Sequence, residues 1–380
     1  MRARREGGEG LPSLAPSFRA RKPWNDDRRK GTPMSDEQEE VWTRLIRVAV
    51  EVKTLAPWRW MDEAQVFGVV DPDTGEHGYV SVMGTQGEHL AMAVYRGPVG
   101  LLGFSRMQNG EIEASPELFF EIPQLQMSFE DRSLLERADR DLLVERGFRF
   151  RGRQAWPLFR AYRPGWEPCL PTEAEARFLA AAGEQLLDVA RRLQDDPSIL
   201  FGPSPDALLH RVARRRKGAL VWSDRYMPPP EFPETRIPIA IDGALVEAVE
   251  RLPVGIGCAE VEAGLAFTPV GPRRGERFFP VLLVVADQQS GAVIHVDTFE
   301  PLEPYEYTYG EIPESLFEGF LRVGRRPRAV RVRPGLTAGV LRAVAQGIPW
   351  LRVEVVEAVP AAQAAREGMI EFLQQRSGRR

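Results

Sequence analysis

The spacing of apolar residues changes several times along this chain, and each change predicts a different element. Val41, Leu45, Val48, Val52 and Leu55 recur three and four apart, the stripe of an amphipathic helix, and Pro57 stops it. A meander follows. Val66 to Val70, Gly78 to Met83 and His89 to Tyr95 read as strands. They are joined by Asp71-Pro72-Asp73-Thr74-Gly75 and by Gly84-Thr85-Gln86-Gly87, where proline presets φ and glycine supplies a positive one. In the third strand both faces are apolar, which predicts cover on both sides. Gly97 to Met107 reads as a short helix, and Ile122 to Phe129 as a fourth strand. Ser133 is expected to cap a helix to about Glu145, closed by Gly147. Pro171-Thr172-Glu173 opens a long helix to about Leu193, its inner side Phe178, Leu179, Ala182, Leu186 and Val189.

Beyond Phe201 prolines punctuate the chain, and one strand, Ala219 to Trp222, stands out. Ile241 to Leu252 reads as a helix. The last block is the clearest. An apolar run from Phe278 to Ala286 predicts a central strand, turned at Asp287-Gln288-Gln289-Ser290-Gly291 into a return strand, Ala292 to Asp297. A helix from Ile312, a strand at Ala329 to Arg333, a helix from Leu336, a strand from Leu351 and a helix from Pro360 complete it. Alternating strands and helices imply a mixed sheet with parallel members. The expectation is an α/β chain in two domains. An α+β N-terminal domain with an antiparallel meander spans 34–200, and a mixed-sheet domain spans 201–376. Residues 1–33, with nine basic and four acidic side chains, read as a disordered basic extension.

Composition narrows the function classes. The net charge is −4, which argues against a protein that coats nucleic acid or an anionic membrane by bulk charge. Only four of the 50 basic residues are lysine (Lys22, Lys30, Lys53 and Lys217), so arginine clusters carry less information than usual. Two cysteines far apart, Cys169 and Cys258, give neither a disulfide framework nor a metal-ligand spacing. No apolar run approaches the length of a membrane span, and the N-terminus lacks the apolar region of a secretory signal. The chain is expected to be cytoplasmic, with no membrane partner.

Two resemblances add to this. Gly78-Tyr79-Val80-Ser81-Val82-Met83-Gly84 with Tyr95-Arg96-Gly97, Ile122-Pro123-Gln124-Leu125-Gln126 with Phe129-Glu130-Asp131-Arg132, and Trp156-Pro157, Phe159-Arg160 and Tyr162-Arg163-Pro164-Gly165 resemble a family of two-domain bacterial proteins of unknown function. Pro327 to Arg333 continues that likeness. It implies no activity, cofactor or catalytic residue. The order of elements from Arg277 onward is similar to that of a ribonuclease-H-like domain. Such a nuclease holds metal ions on carboxylates from its first strand, its first helix and the end of its fourth strand. Here Asp287 is expected to end the first strand, and Glu314 or Glu318 lies on the helix. The fourth strand ends in Arg333-Pro334, and an arginine repels a divalent cation. The carboxylate set is incomplete, so the reading leans away from an enzyme, with no catalytic residue, metal ligand or cofactor assigned.

The remaining candidates are surfaces. Arg149, Arg151, Arg153, Arg160 and Arg163 interleave with Trp156 and other aromatics, and no acid occurs between Glu145 and Glu167. Arginines that neutralise phosphates beside rings that stack on bases would bind nucleic acid. The alternative is that the rings are core and the arginines are solvated or ion-paired. Arg211, Arg214, Arg215, Arg216 and Lys217 read as helix surface. Tyr305, Tyr307 and Tyr309 alternate among acids, as a partner-docking edge or as a strand with one face on the core. Gly255-Ile256-Gly257 lacks the third glycine of a dinucleotide fingerprint. A Cys258–His295 thiol–imidazole pair has no local signature behind it. The leading expectation is a non-catalytic binding or scaffolding protein whose partner is a protein or a nucleic acid. A nucleic-acid-binding protein and a metal-dependent nuclease are the alternatives.

Overall fold

The computed structural model describes residues 36–110, 120–204, 207–231, 236–239, 241–271 and 277–377. The expected extension, 1–33, lies outside them. The fold is mixed α/β and divides into two compact units. The first comprises Thr32–Thr235 with Pro269–Phe278, and the second comprises Arg236–Thr268 with Phe279–Arg380.

The first unit is built on a seven-stranded sheet. Its strands are β1 (Phe67–Val70), β2 (His77–Met83), β3 (Ala91–Arg96), β4 (Gln124–Glu130), β5 (Trp156–Tyr162), β6 (Leu208–Arg216) and β7 (Ala219–Met227), in the order β5-β4-β3-β2-β1-β6-β7. All neighbours are antiparallel except β1 and β6. One face of the sheet carries Val80, Val94, Leu125, Met127 and Phe159 into the main core, against α1 (Asp36–Leu55) and α4 (Glu173–Asp195). Thr172 caps α4, its hydroxyl accepting from the Glu175 N–H. The other face packs Tyr79, Tyr95 and Ala93 against Leu101 and Phe104 of α2 (Gly97–Gln108). The cover expected on both faces of β3 is therefore present.

Several details differ from the sequence reading. The helix α3 (Arg137–Glu145) is preceded by Glu136, with Asp139 accepting from the Glu136 N–H at 3.0 Å, while Ser133 sits in a 3-10 turn. The arginine-rich stretch read as helix surface is β6 and its turn into β7, where Lys217 has a φ of 47°. β6 pairs with β1 and β7 pairs with β6, so a boundary at 201 would cut both strands out of the sheet to which they belong.

The second unit has five strands: β8 (Val254–Leu265), β9 (Val281–Asp287), β10 (Val293–Phe299), β11 (Arg326–Val332) and β12 (Val353–Val355), in the order β10-β9-β8-β11-β12. The β10–β9 and β9–β8 pairs are antiparallel, while β8–β11 and β11–β12 are parallel. Its helices are α5 (Gly243–Glu250), α6 (Ile312–Val323), α7 (Leu336–Ala345) and α8 (Pro360–Ser377). β9 is buried along nearly its whole length, as its continuous apolar run requires. Leu282 and Val284 face Ala365, Met369 and Ile370 of α8. The tyrosines 305, 307 and 309 lie in a 3-10 helix, Tyr305–Glu311, rather than a strand. In this unit the strand absent from the sequence reading is β8, and it changes where any acidic site would have to be.

Candidate functional site

With β8 in place, the run that ends at Asp287 is the second strand of its sheet, not the first. Asp287 is a turn residue. Its carboxylate accepts from Ser290 N at 2.7 Å, Ser290 Oγ at 2.8 Å and Gln289 N at 3.1 Å. These donors hold it below the usual carboxylate range. The acids on the first strand are Glu260 and Glu262, on the same face of β8. Both are buried.

Each of these acids is already engaged. Glu260 accepts from the N–H groups of Ala361 and Ala362 at 2.7 and 3.3 Å, which places a carboxylate on the first turn of α8. Its register neighbour on β11 is Arg331. Arg331 donates to Glu354 of β12 at 3.0 Å, and that bond is the largest reason its guanidinium is held above the ordinary value. Glu262 accepts two bonds from Arg333, from Nη2 at 2.7 Å and Nε at 3.1 Å. This is a bidentate fork, the strongest form of the pair. The residue expected to repel a metal ion from the end of the fourth strand thus also neutralises the nearest first-strand carboxylate. Among the described residues, no three of His, Cys, Asp and Glu gather in a group that could hold a metal ion.

His295 has other partners than Cys258. The hydroxyl of Ser315 donates to Asp297 Oδ2 at 2.7 Å, so its oxygen accepts from His295 Nε2 at 2.9 Å. Arg322 can only donate, so the contact at 3.4 Å leaves His295 Nδ1 as the acceptor. The chain Arg322–His295–Ser315–Asp297 is therefore closed, with a neutral ring at its centre. Burial lowers the pKa of His295 despite the nearby Asp297.

The arginine and aromatic segment of the first unit is divided by the fold. Trp156 is in the core, with the Arg132 guanidinium 5.8 Å from its ring centre. Arg160 forks onto the buried Asp139 at 2.7 and 2.8 Å. Arg163 reaches Glu175 at 2.8 Å and Cys169 Sγ at 2.9 Å. Arg149, Arg151 and Arg153 are exposed. Of the six residues three are exposed cations, two are ion-paired and one is in the core. Of the second arginine cluster, Arg211 is buried against Asp224 and Gln185, and Arg215 pairs with Asp73 at 2.8 Å.

Three buried polar residues of the first unit received no site assignment from the sequence, where the histidines show no metal-ligand spacing. The register row His210–Gly68–Tyr79–Tyr95–Gln124–Tyr162 runs across six strands on one face of the sheet. Tyr79, Gln124 and His210 are fully buried, and His210 Nε2, the Tyr79 hydroxyl, both amide atoms of Gln124 and the neighbouring His77 Nδ1 have no hydrogen-bond partner. The signal was a run of polar residues, His77, Tyr79 and Ser81, alternating with apolar ones on a strand whose two faces are both covered.

These observations define a chain of two mixed α/β units, each with some buried polar atoms that lack a hydrogen-bond partner. Residues 42–211 match a domain of unknown function (DUF7309), and residues 247–370 match a second domain of unknown function (DUF6930). The chain pairs these two matches, and neither domain has an established function. No curated protein and no solved structure matches it. Among the described residues no helix is long and apolar enough to cross a membrane.

Proposed function

We propose that the protein is a cytoplasmic, bacterial, non-catalytic binding or scaffolding protein, whose second unit is a ribonuclease-H-like sheet with its carboxylate site replaced by ion pairs. The reading rests on the Glu262–Arg333 fork at the junction of the parallel strands β8 and β11. The sheet order supports the fold assignment: third, second, first, fourth and fifth strand, with helices following the third, fourth and fifth. In a two-metal nuclease the positions at this junction carry negative charge toward the cations. Here one is a carboxylate, the next is a guanidinium, and each neutralises the other. The test is incubation of the purified protein with single-stranded and duplex DNA and RNA in the presence of Mg²⁺ and Mn²⁺. The expected result is intact nucleic acid. Metal-dependent cleavage that disappears in Glu262→Gln would overturn the reading.

A second reading keeps nucleic acid as the partner of the first unit. It is favoured by the exposure of Arg149, Arg151 and Arg153 in a stretch with no acid from Arg146 to Trp166. It predicts binding whose log affinity falls linearly with log salt, and a shallower slope when the three arginines are changed to alanine. Binding that is equal in the triple variant would discard it.

A further inference from the structure

We propose that His210 Nε2, His77 Nδ1 and the Tyr79 hydroxyl form a binding site for one late first-row transition-metal ion, of which Zn(II) is the representative. The site is separate from the acidic positions of the second unit and does not depend on the function proposed for them.

The protonation state of His210 follows from its partner. His210 Nδ1 lies 3.0 Å from the carbonyl oxygen of Leu208. A carbonyl only accepts, so Nδ1 carries the hydrogen. Burial disfavours the imidazolium, and the ring is held neutral. Nε2 is therefore a bare lone pair, fully buried and unpartnered. A histidine whose one nitrogen donates to a backbone carbonyl while the other points at nothing has the arrangement of a metal ligand with its outer partner in place.

The neighbours complete a set. The His77 and His210 rings are 5.3 Å apart, centre to centre, at 66°. Two imidazoles bound tetrahedrally to one Zn(II), with Zn–N near 2.0–2.1 Å, have ring centres about 5 Å apart. The Tyr79 ring stands edge-on, 5.8 Å from His210, and its hydroxyl is unpartnered. The three donors come from β2 and β6, on either side of β1. What lets the His210 ring come this close to the other two rings is Gly68 between them. A Cβ at that position would lie 2.1 Å from His210 Cδ2, so any side chain there would evict the ring.

The size of the space selects the occupant. The three polar atoms are closed to a water-sized sphere, so neither an organic ligand nor a bound water has room beside them. A metal ion needs no such volume, because its ligands approach to about 2 Å. Burial pushes the Tyr79 hydroxyl up to about 12, so the free site holds a phenol, and the metal would bind it as a phenolate with its proton released to solvent. Two imidazole nitrogens and a phenolate suit zinc, copper, nickel or cobalt better than the oxygen-seeking Mg²⁺ or Ca²⁺. The third donor is a phenol, which is why the set contains no group of three His, Cys, Asp or Glu.

The experiment is calorimetric titration of the full chain with ZnCl₂, paired with the absorption spectrum after loading with Co(II). Wild type should bind one equivalent, and its cobalt spectrum should lack the thiolate charge-transfer band that Cys169 or Cys258 would give. His77 is partly exposed, so His77→Ala is the main variant; it should weaken Zn(II) at least tenfold. His89→Ala, which removes a half-exposed histidine beside Glu130, should leave binding unchanged. No equivalent bound by wild type, a thiolate band, or equal affinity in a folded His77→Ala would each overturn the proposal. Stoichiometry and spectrum are read on wild type, so the test stands even if a variant fails to fold.

Discussion

Two histidines in this molecule are buried in nearly the same way and finished differently. His295 in the second unit and His210 in the first each lie over a glycine, Gly319 and Gly68, where a Cβ would come within 2.6 and 2.1 Å of the ring. Burial keeps each ring neutral. At His295 both nitrogens are used, one by Ser315 and one by Arg322. At His210 one nitrogen is used and the other has no partner, and the adjacent His77 and Tyr79 rings each carry another unpartnered atom. Seating an imidazole in a core takes a glycine and a loss of charge, and both sites show that. Only the count of unsatisfied atoms separates a histidine that serves the fold from one left open to a ligand.

The same contrast divides the arginines, and there it predicts the largest effect. Arg160→Ala removes both bonds from a guanidinium to the buried Asp139. Leaving one partner of a buried pair unmatched is expected to destabilise the first unit by about 3–5 kcal/mol, read as a lower urea midpoint. The glycines come next. Gly68→Ala and Gly319→Ala should each cost about 1–3 kcal/mol by overpacking. They should differ in a second readout, because Gly68→Ala also weakens Zn(II) while Gly319→Ala does not. Equal effects on Zn(II) would erase the distinction drawn between the two histidines. Acid should act on both. Each folded pKa lies below the unfolded value near 6.5, so the unfolded chain binds more protons as pH falls below that value. The contribution is complete above about pH 6.5 and is lost as pH falls through the folded pKa. Denaturation at pH 7.5 and 5.5 should show a smaller loss in His210→Gln than in wild type. The smallest effect is expected at Arg149, Arg151 and Arg153. Alanine at each should change stability by no more than about 0.5 kcal/mol, while the salt dependence of nucleic-acid binding decides whether they do anything else.

Much of this was legible in the order of residues. The stripe from Val41 to Leu55, the Thr172 cap and the apolar run of β9 each state their element locally, and the fold agrees with them. β8 is masked in the sequence, although Ala259-Glu260-Val261-Glu262-Ala263 alternates, because Gly255 and Gly257 interrupt its N-terminal half. Without β8 the run ending at Asp287 counts as the first strand of the second sheet, which gives Asp287 the place of a site residue. β5 and β6 were hidden in arginine-rich stretches, where charge masks a period of two. The partners of Arg160 and Arg333 could not be read at all. Asp139 and Glu262 lie 21 and 71 residues away in sequence, and only the register of the sheet and the packing of α3 bring them within reach. The histidine site was invisible for the same reason, since His77 and His210 meet through the pairing of β1 with β2 and β6.

The most direct measurement is a long-range ¹H–¹⁵N spectrum of the histidine rings, recorded before and after one equivalent of ZnCl₂. It should show His295 protonated at Nε2 and unmoved by zinc, and His210 protonated at Nδ1 with its Nε2 resonance shifted on loading. His210 protonated at Nε2, or both histidines unchanged by zinc, would contradict the account.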